Sequence, residues 1–539
     1  MRRTVFQLLA AASLLNWLIA FSGTVNASTR PRYGGTLRVE LHETAVSLDP
    51  REWKPGSPEF ATNEKLAALV FDRLVALDNY GRFQPQLAAE WSHDPSFKRW
   101  QFVLRSNVKF SDGTPLTAAD VVAALQPLLP RGQQISTAGN NVVIQSAESL
   151  PDLLEELASG PFFIYRPQPD GTLLGTGPFF VSDSSVSANK TQSASNAAPL
   201  TTTPPPAQTA SVKQTILHLR ASEATWSGRP FLDSIEVTLG VLPLRQLFDL
   251  QLGRADLVEV SPDLVRRAMQ ENQRVWSSTP VMMYGLVFDN SQPATSDAKL
   301  REALSLSLDR QTMANVLLQK QAEPAAALLP QWLSGYAFLF KMDTNLDRAK
   351  ELRAALPSNA TPAAEPLRLR VDASGDVAKL LGERVAVNAR QALIPVQVLN
   401  RSPLRTTRTT AASTSEPAAG LRLFVWHYSS LSPRVELETF VSALNLGPAS
   451  ENGNASADPE QLYLRERKLL EDRRILPLVA LPEYVGLGHN VRDWMPARWD
   501  EWHLADMWLE VPESTPTPAA ESPAGTPSTA APAPMGAKP

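Results

Sequence analysis

The chain contains no cysteine. Disulfides, thiol nucleophiles and cysteine-ligated zinc are thereby excluded, and so is lipid attachment through an N-terminal cysteine. Histidine is scarce, and the six present (His42, His93, His218, His427, His489, His503) include no pair at metal-ligand spacing. There is no Gly-x-Ser-x-Gly elbow, no phosphate-cradling glycine loop and no His-Glu-x-x-His. These absences predict a protein that is not an enzyme and carries no cofactor or metal. A basic excess is missing too: the formal net charge is −4, which leaves no electrostatic footprint for nucleic acid. Beyond the N-terminal segment, no run approaches the roughly 18 unbroken apolar residues of a membrane helix.

What is present is length and apolar content. With 539 residues, 43% of them hydrophobic, the chain can bury two or three cores, since single cores stop growing at roughly 250–300 residues. Arg2 and Arg3 precede an apolar stretch, Phe6 to Phe21, broken only by Gln7, Ser13 and Asn16, and Val25-Asn26-Ala27 follow. Residues 1–27 therefore read as a cleavable secretory signal, which makes the expected localisation periplasmic. An uncleaved N-terminal anchor is the alternative, although the stretch is short of the ~20 residues a span needs. Residues 183–213, 401–420 and 447–458 are rich in Ser, Ala, Thr and Pro, as is the tail 512–539. Such segments bury too little apolar surface to offset the entropy of ordering them. The first three read as flexible insertions in a fold, the last as a disordered end.

The remaining pattern is mixed α/β. Gly35 to Leu41 alternates like a strand, as does Arg99 to Arg105, with Trp100, Phe102 and Leu104 on one face. Asp112-Gly113 is a turn pair, and Thr117 with Asp120 forms a relative of the capping box. Leu300, Leu304 and Leu308 share a helical face, and Asp309 reads as the cap of a second helix carrying Met313, Val316 and Leu317. Asp458-Pro459-Glu460-Gln461 opens a helix to about Asp472, and Ile475 to Leu481 is a late apolar strand, predicted to return to an earlier sheet.

Five passages, in order, carry a resemblance: Tyr33-Gly-Gly-Thr-Leu-Arg38 with Ser47-Leu-Asp-Pro50; Leu87-Ala-Ala-Glu-Trp91 through Phe110-Ser-Asp-Gly-Thr-Pro-Leu-Thr-Ala-Ala-Asp-Val121; Gly175-Thr-Gly-Pro-Phe179 with Trp226 to Asp233; Leu250 to Asp256; and Leu300 to Leu304 with Leu308-Asp-Arg310. The set resembles the family 5 extracellular solute-binding proteins, the peptide- and nickel-binding components of ABC importers. The resemblance implies an α/β periplasmic-binding-protein-like two-lobe fold of the large class with an extra domain, built of mixed sheets flanked by helices. It divides the chain into lobe I at 33–70, a second domain at 71–172, lobe I again at 173–265, lobe II at 266–476 and a lobe I return at 477–511. It further implies a monomer that captures a peptide or similar small solute in an interlobe cleft and delivers it to an ABC transporter permease. A ligand-sensing receptor of the same fold and a sugar or metal-chelate binder are the alternatives.

The resemblance also locates a candidate site. The family's second-lobe cleft strand reads Trp-x-x-Asp followed shortly by Pro. The corresponding run here, Trp426 to Pro433, carries Ser429 where that aspartate would stand. A hydroxyl cannot supply the charge-assisted bond that holds a peptide ammonium, so ligands without an amino terminus gain ground. Trp426 and Tyr428 are expected as an aromatic wall. Trp53, Gly56 and Ser57 fall where relatives pair their main chain with ligand, and Tyr284 falls on the strand entering the third domain. The Ser111-Asp-Gly-Thr-Pro signature, by contrast, is explained by turn and cap chemistry alone.

Overall fold

The computed structural model describes residues 31–57, 59–78, 80–130, 132–187, 214–223, 225–289, 293–341, 343–356, 366–371, 375–400, 419–447, 458–496, 499 and 502–510. The expected signal (1–27) and tail (512–539) lie outside them, as do 188–213, 401–418 and 448–457 of the three expected insertions. In chain order, the elements that matter begin with strand β1 (Thr36–Leu41), helix α1 (Glu59–Val70), β2 (Ala88–His93), β3 (Arg99–Leu104), α2 (Ala118–Leu125), β4 (Gln133–Ala138), β5 (Asn141–Ser146) and the short α3 (Leu153–Leu157). Then come β6 (Phe179–Ser187), β7 (Gln214–Ala221), β8 (Ser234–Leu239), β9 (Leu257–Glu259) and the long β10 (Arg274–Phe288). The chain ends through β11 (Leu367–Val371), β12 (Val396–Asn400), β13 (Leu421–His427), α4 (Pro433–Ala443), α5 (Pro459–Glu471) and β14 (Ile475–Leu487).

One mixed sheet runs through both lobes in the order β6-β7-β8-β1-β9-β14-β10-β13-β11-β12. Its centre explains how two lobes share it. Tyr484 to Leu487 of β14 pair with Ser277 to Arg274 of β10, and Val485 to Leu487 also pair with β9. The other ends of the same two strands pair with each other, and β10 pairs with β13. The register breaks between these halves, where Pro280 faces Pro482. Proline has no N–H to donate, so the ladder is thinnest where the two strands cross from one lobe to the other.

Burial divides along the same line. Leu37, Val39, Ile235, Val237, Leu257 and Val485 lie in one core that continues through Phe102 and Ile144 of the separate four-stranded sheet β2-β3-β5-β4. Leu286, Leu304, Leu369, Leu381 and Leu423 lie in a second, on one face of lobe II. Met283, Trp426, Phe440 and Leu462 lie in a third on its other face. The alternation expected in β3 is observed, with Trp100, Phe102 and Leu104 all buried. Thr117 and Asp120 cap α2 reciprocally. Asp458 caps α5, with Pro459 in its first turn. β14 returns to the sheet as read.

Two local expectations need correction. After Asp309 the chain makes only Arg310–Thr312 as α-helix and then a π turn over Met313–Leu317, which leaves Val316 exposed. Residues 183–187 of the expected 183–213 insertion extend β6, because pairing with β7 supplies the backbone partners that their polar composition does not predict. No helix of the described residues is long and apolar enough to cross a membrane.

Candidate functional site

Between the lobes lies a cleft whose empty space, open solvent included, is about 630 Å³. Lobe I contributes Ala61, Glu64 and Lys65 from α1 and Trp499, and the second domain inserted in it contributes Arg73, Ala158 and Ser159. Val281 and Glu483 come from the two crossing strands, and lobe II contributes Trp332 and the run His427 to Leu431. The charged walls are ion-paired. Arg73 donates to Glu64 at 2.6 Å and to the Gly160 carbonyl at 2.8 Å, and its guanidinium lies 3.9 Å from the Phe163 ring centroid. Lys65 pairs with Glu483 and sits over the Trp502 ring. Burial pushes the His427 imidazole down to about 4, so it is neutral at physiological pH.

The loop after β13 is shaped by a residue the sequence reading passed over. Glu436, fully buried near the start of α4, accepts hydrogen bonds from the Trp426 indole (2.5 Å) and from the backbone N–H groups of Ser429 (3.0 Å) and Ser430 (2.8 Å). The Ser429 hydroxyl donates to the same carboxylate at 3.3 Å. Desolvation pushes Glu436 up to about 7 despite these donors. The carboxylate absent at Ser429 thus has a neighbour from α4, but one spent on holding the loop.

A second set of contacts ties the lobes together beside the cavity. Arg434 of lobe II grips Asp152 with two bonds of 2.8 Å and reaches Glu156 at 2.7 Å. Ser432, the N-cap of α4, donates to Asp152 at 2.6 Å. Asp152 stands at the N-cap position of α3, yet its carboxylate caps nothing in its own helix. Leu431 N–H donates to the Ser159 hydroxyl at 3.3 Å.

Of the residues expected at the site, Tyr428 and Ser429 line the cavity. The Tyr428 hydroxyl donates to the Leu328 carbonyl at 2.8 Å, and its ring meets Trp332 edge-on at 6.4 Å. Trp426 does not line it. Its ring is buried against Phe440, 4.6 Å between centroids, and a Cβ built on Gly56 would overlap it. The loop expected to pair with ligand therefore presses on lobe II. Trp53 is buried between Phe60 and Phe163 and bonds the Ser47 carbonyl. Ser57 closes a turn onto Lys54. Tyr284 packs in the lobe II core, away from the cavity, because its register on β10 turns it to that face. The cavity residues Lys65, Glu483, Arg73 and Trp499 carry no motif; the cluster of tryptophans from Trp494 to Trp508 was the one signal available.

Residues 82–446 match the family model of bacterial extracellular solute-binding proteins, family 5. The chain is 23% identical over 312 residues to the nickel-binding protein NikA of Staphylococcus aureus, covering 54% of this chain and 56% of that protein. It is 24% identical over 327 residues to the nickel-binding periplasmic protein of Escherichia coli, covering 58% and 56%. The chain thus spans a little over half the length of the curated relatives it matches. Among solved structures, the murein tripeptide binding protein MppA of Escherichia coli superposes with a TM-score of 0.69 at 18% identity, over 88% of this chain and 98% of that one. At that identity the likeness is one of fold, the two-lobe periplasmic-binding fold.

Proposed function

Because the chain belongs to the bacterial extracellular solute-binding proteins of family 5, we propose that it is the capture component of an ABC importer, holding one small solute between its lobes and delivering it to a membrane permease. The family's members are periplasmic or extracellular binding proteins, and this chain acts as a monomer outside the cytoplasmic membrane. The observation that carries the reading is a cavity walled from both lobes and from the two strands that join them. A solute there touches both walls only when the lobes are shut, so it stabilises the shut form and shifts the population toward it.

The same geometry favours a compact solute over an extended peptide. Gly56 already rests on the Trp426 ring, so the loop that would flank a long ligand is engaged with the opposite lobe. The reading is tested by small-angle scattering on protein unfolded, stripped and refolded. Addition of the solute recovered from its native host contracts the particle, and a scattering profile indifferent to every fraction of that extract overturns the proposal.

A further inference from the structure

The cavity is polar without being charged. Two carboxylates, Glu64 and Glu483, and two cations, Arg73 and Lys65, cancel to zero, and each is held in an ion pair at the wall. An ion entering such a site loses its hydration and meets no excess of opposite charge. A peptide ammonium would have to compete with Arg73 or Lys65 for its carboxylate. Among the described residues no three acidic or histidine side chains are grouped to hold a metal. Paired charges nonetheless remain strong hydrogen-bonding partners for uncharged groups.

Beside Ala61, Ala158, Val281 and Leu431, the wall carries three aromatic rings: Trp332, Tyr428 and Trp499. Two of these have spent their polar atoms inside the protein, since Trp332 N–H donates to the Pro280 carbonyl at 2.8 Å and Tyr428 to Leu328. Trp499 differs. Its indole N–H is buried and finds no acceptor among the described residues, as is also true of Trp502, the ring beneath Lys65.

We propose that the guest is a small, uncharged, hydroxyl-rich solute, its C–H face against the cavity aromatics and its hydroxyls bonded to the paired side chains of Glu64 and Glu483. This deepens the solute-capture reading and rests on it. Neutral His427 fits such a guest, donating from one ring nitrogen and accepting at the other.

The test is calorimetric and tryptophan-fluorescence titration of the stripped full chain against three panels: neutral mono- and disaccharides, di- and tripeptides, and nickel chloride with and without histidine. At least one neutral saccharide binds tenfold or more tightly than any peptide or nickel form. Saturable binding of peptides or nickel with no saccharide bound overturns the neutral-guest inference and leaves solute capture standing. If no panel member binds and the host extract also fails to contract the particle, solute capture itself is overturned.

Discussion

Gly56 and Glu436 show how much of this cleft depends on single atoms. Gly56 has φ +73°, a conformation that costs other residues about 1 kcal/mol. Beyond that, a methyl group there would enter the Trp426 ring, which cannot retreat from Phe440 and Glu436. Gly56 and Trp426 belong to opposite lobes, so parting the lobes would relieve the overlap. Gly56→Ala should therefore weaken ligand binding at least tenfold while moving the thermal midpoint by a few degrees at most, as read by calorimetric titration and melting. Glu436→Gln should destabilise the protein by about 1–3 kcal/mol in denaturant unfolding, because an amide N–H₂ would face donors that need an acceptor. The Thr117–Asp120 cap was legible because its partners are three residues apart and obey a local rule. Glu436 was not. An acid in the first turn of a helix reads as a partner of the helix dipole on a wet face, and nothing local reveals that the face is buried.

Among elements, the meeting of α3 with the start of α4 decides how the lobes shut. Its partners, Asp152 and Arg434, are 282 residues apart, so no local pattern could announce them. By contrast, the strand β3 and the helix α5 were readable from alternation and cap residues, and the loop after β13 from its Trp and Pro. The side chains of Arg434, Asp152 and Glu156 are little exposed, so this pair is screened less than a surface pair and losing one partner is costly. In the open form the two acids regain water. Arg434→Ala should thus appear as opening rather than unfolding: a larger radius of gyration in scattering, weaker ligand binding, and a melting midpoint close to that of the parent protein.

At the scale of the whole molecule, buried carboxyls set the pH response. Desolvation raises Glu43, Glu156, Glu436 and Glu466 from an ordinary 4.5 to about 7. The folded state therefore binds their protons more tightly than the unfolded chain. Their stabilising contribution is complete below 4.5 and is lost as pH rises through about 7. His427, lowered from 6.5 to about 4, acts with the opposite sign, its contribution lost as pH falls through 4, but it is one group against these four and the likewise raised Glu40 and Glu259. Asp49, beside Arg51, and Asp112, bonded by Thr114, lie below their ordinary 3.8, so stability declines again in stronger acid. Denaturant midpoints should peak in mildly acidic buffer and fall toward neutrality; a flat profile across that window would contradict the burial assigned to these four acids.

The position of β14 in the chain has a consequence for biogenesis. It lies between β9 and β10 at the centre of the shared sheet, yet at residues 475–487 it follows every other strand of that sheet in the chain. A nascent chain emerging N-terminus first has a gap in the middle of its sheet through most of its synthesis, with β9 missing a neighbour and β10 missing its longest partner. Such a chain cannot close its central sheet until the last of that sheet's strands has been made.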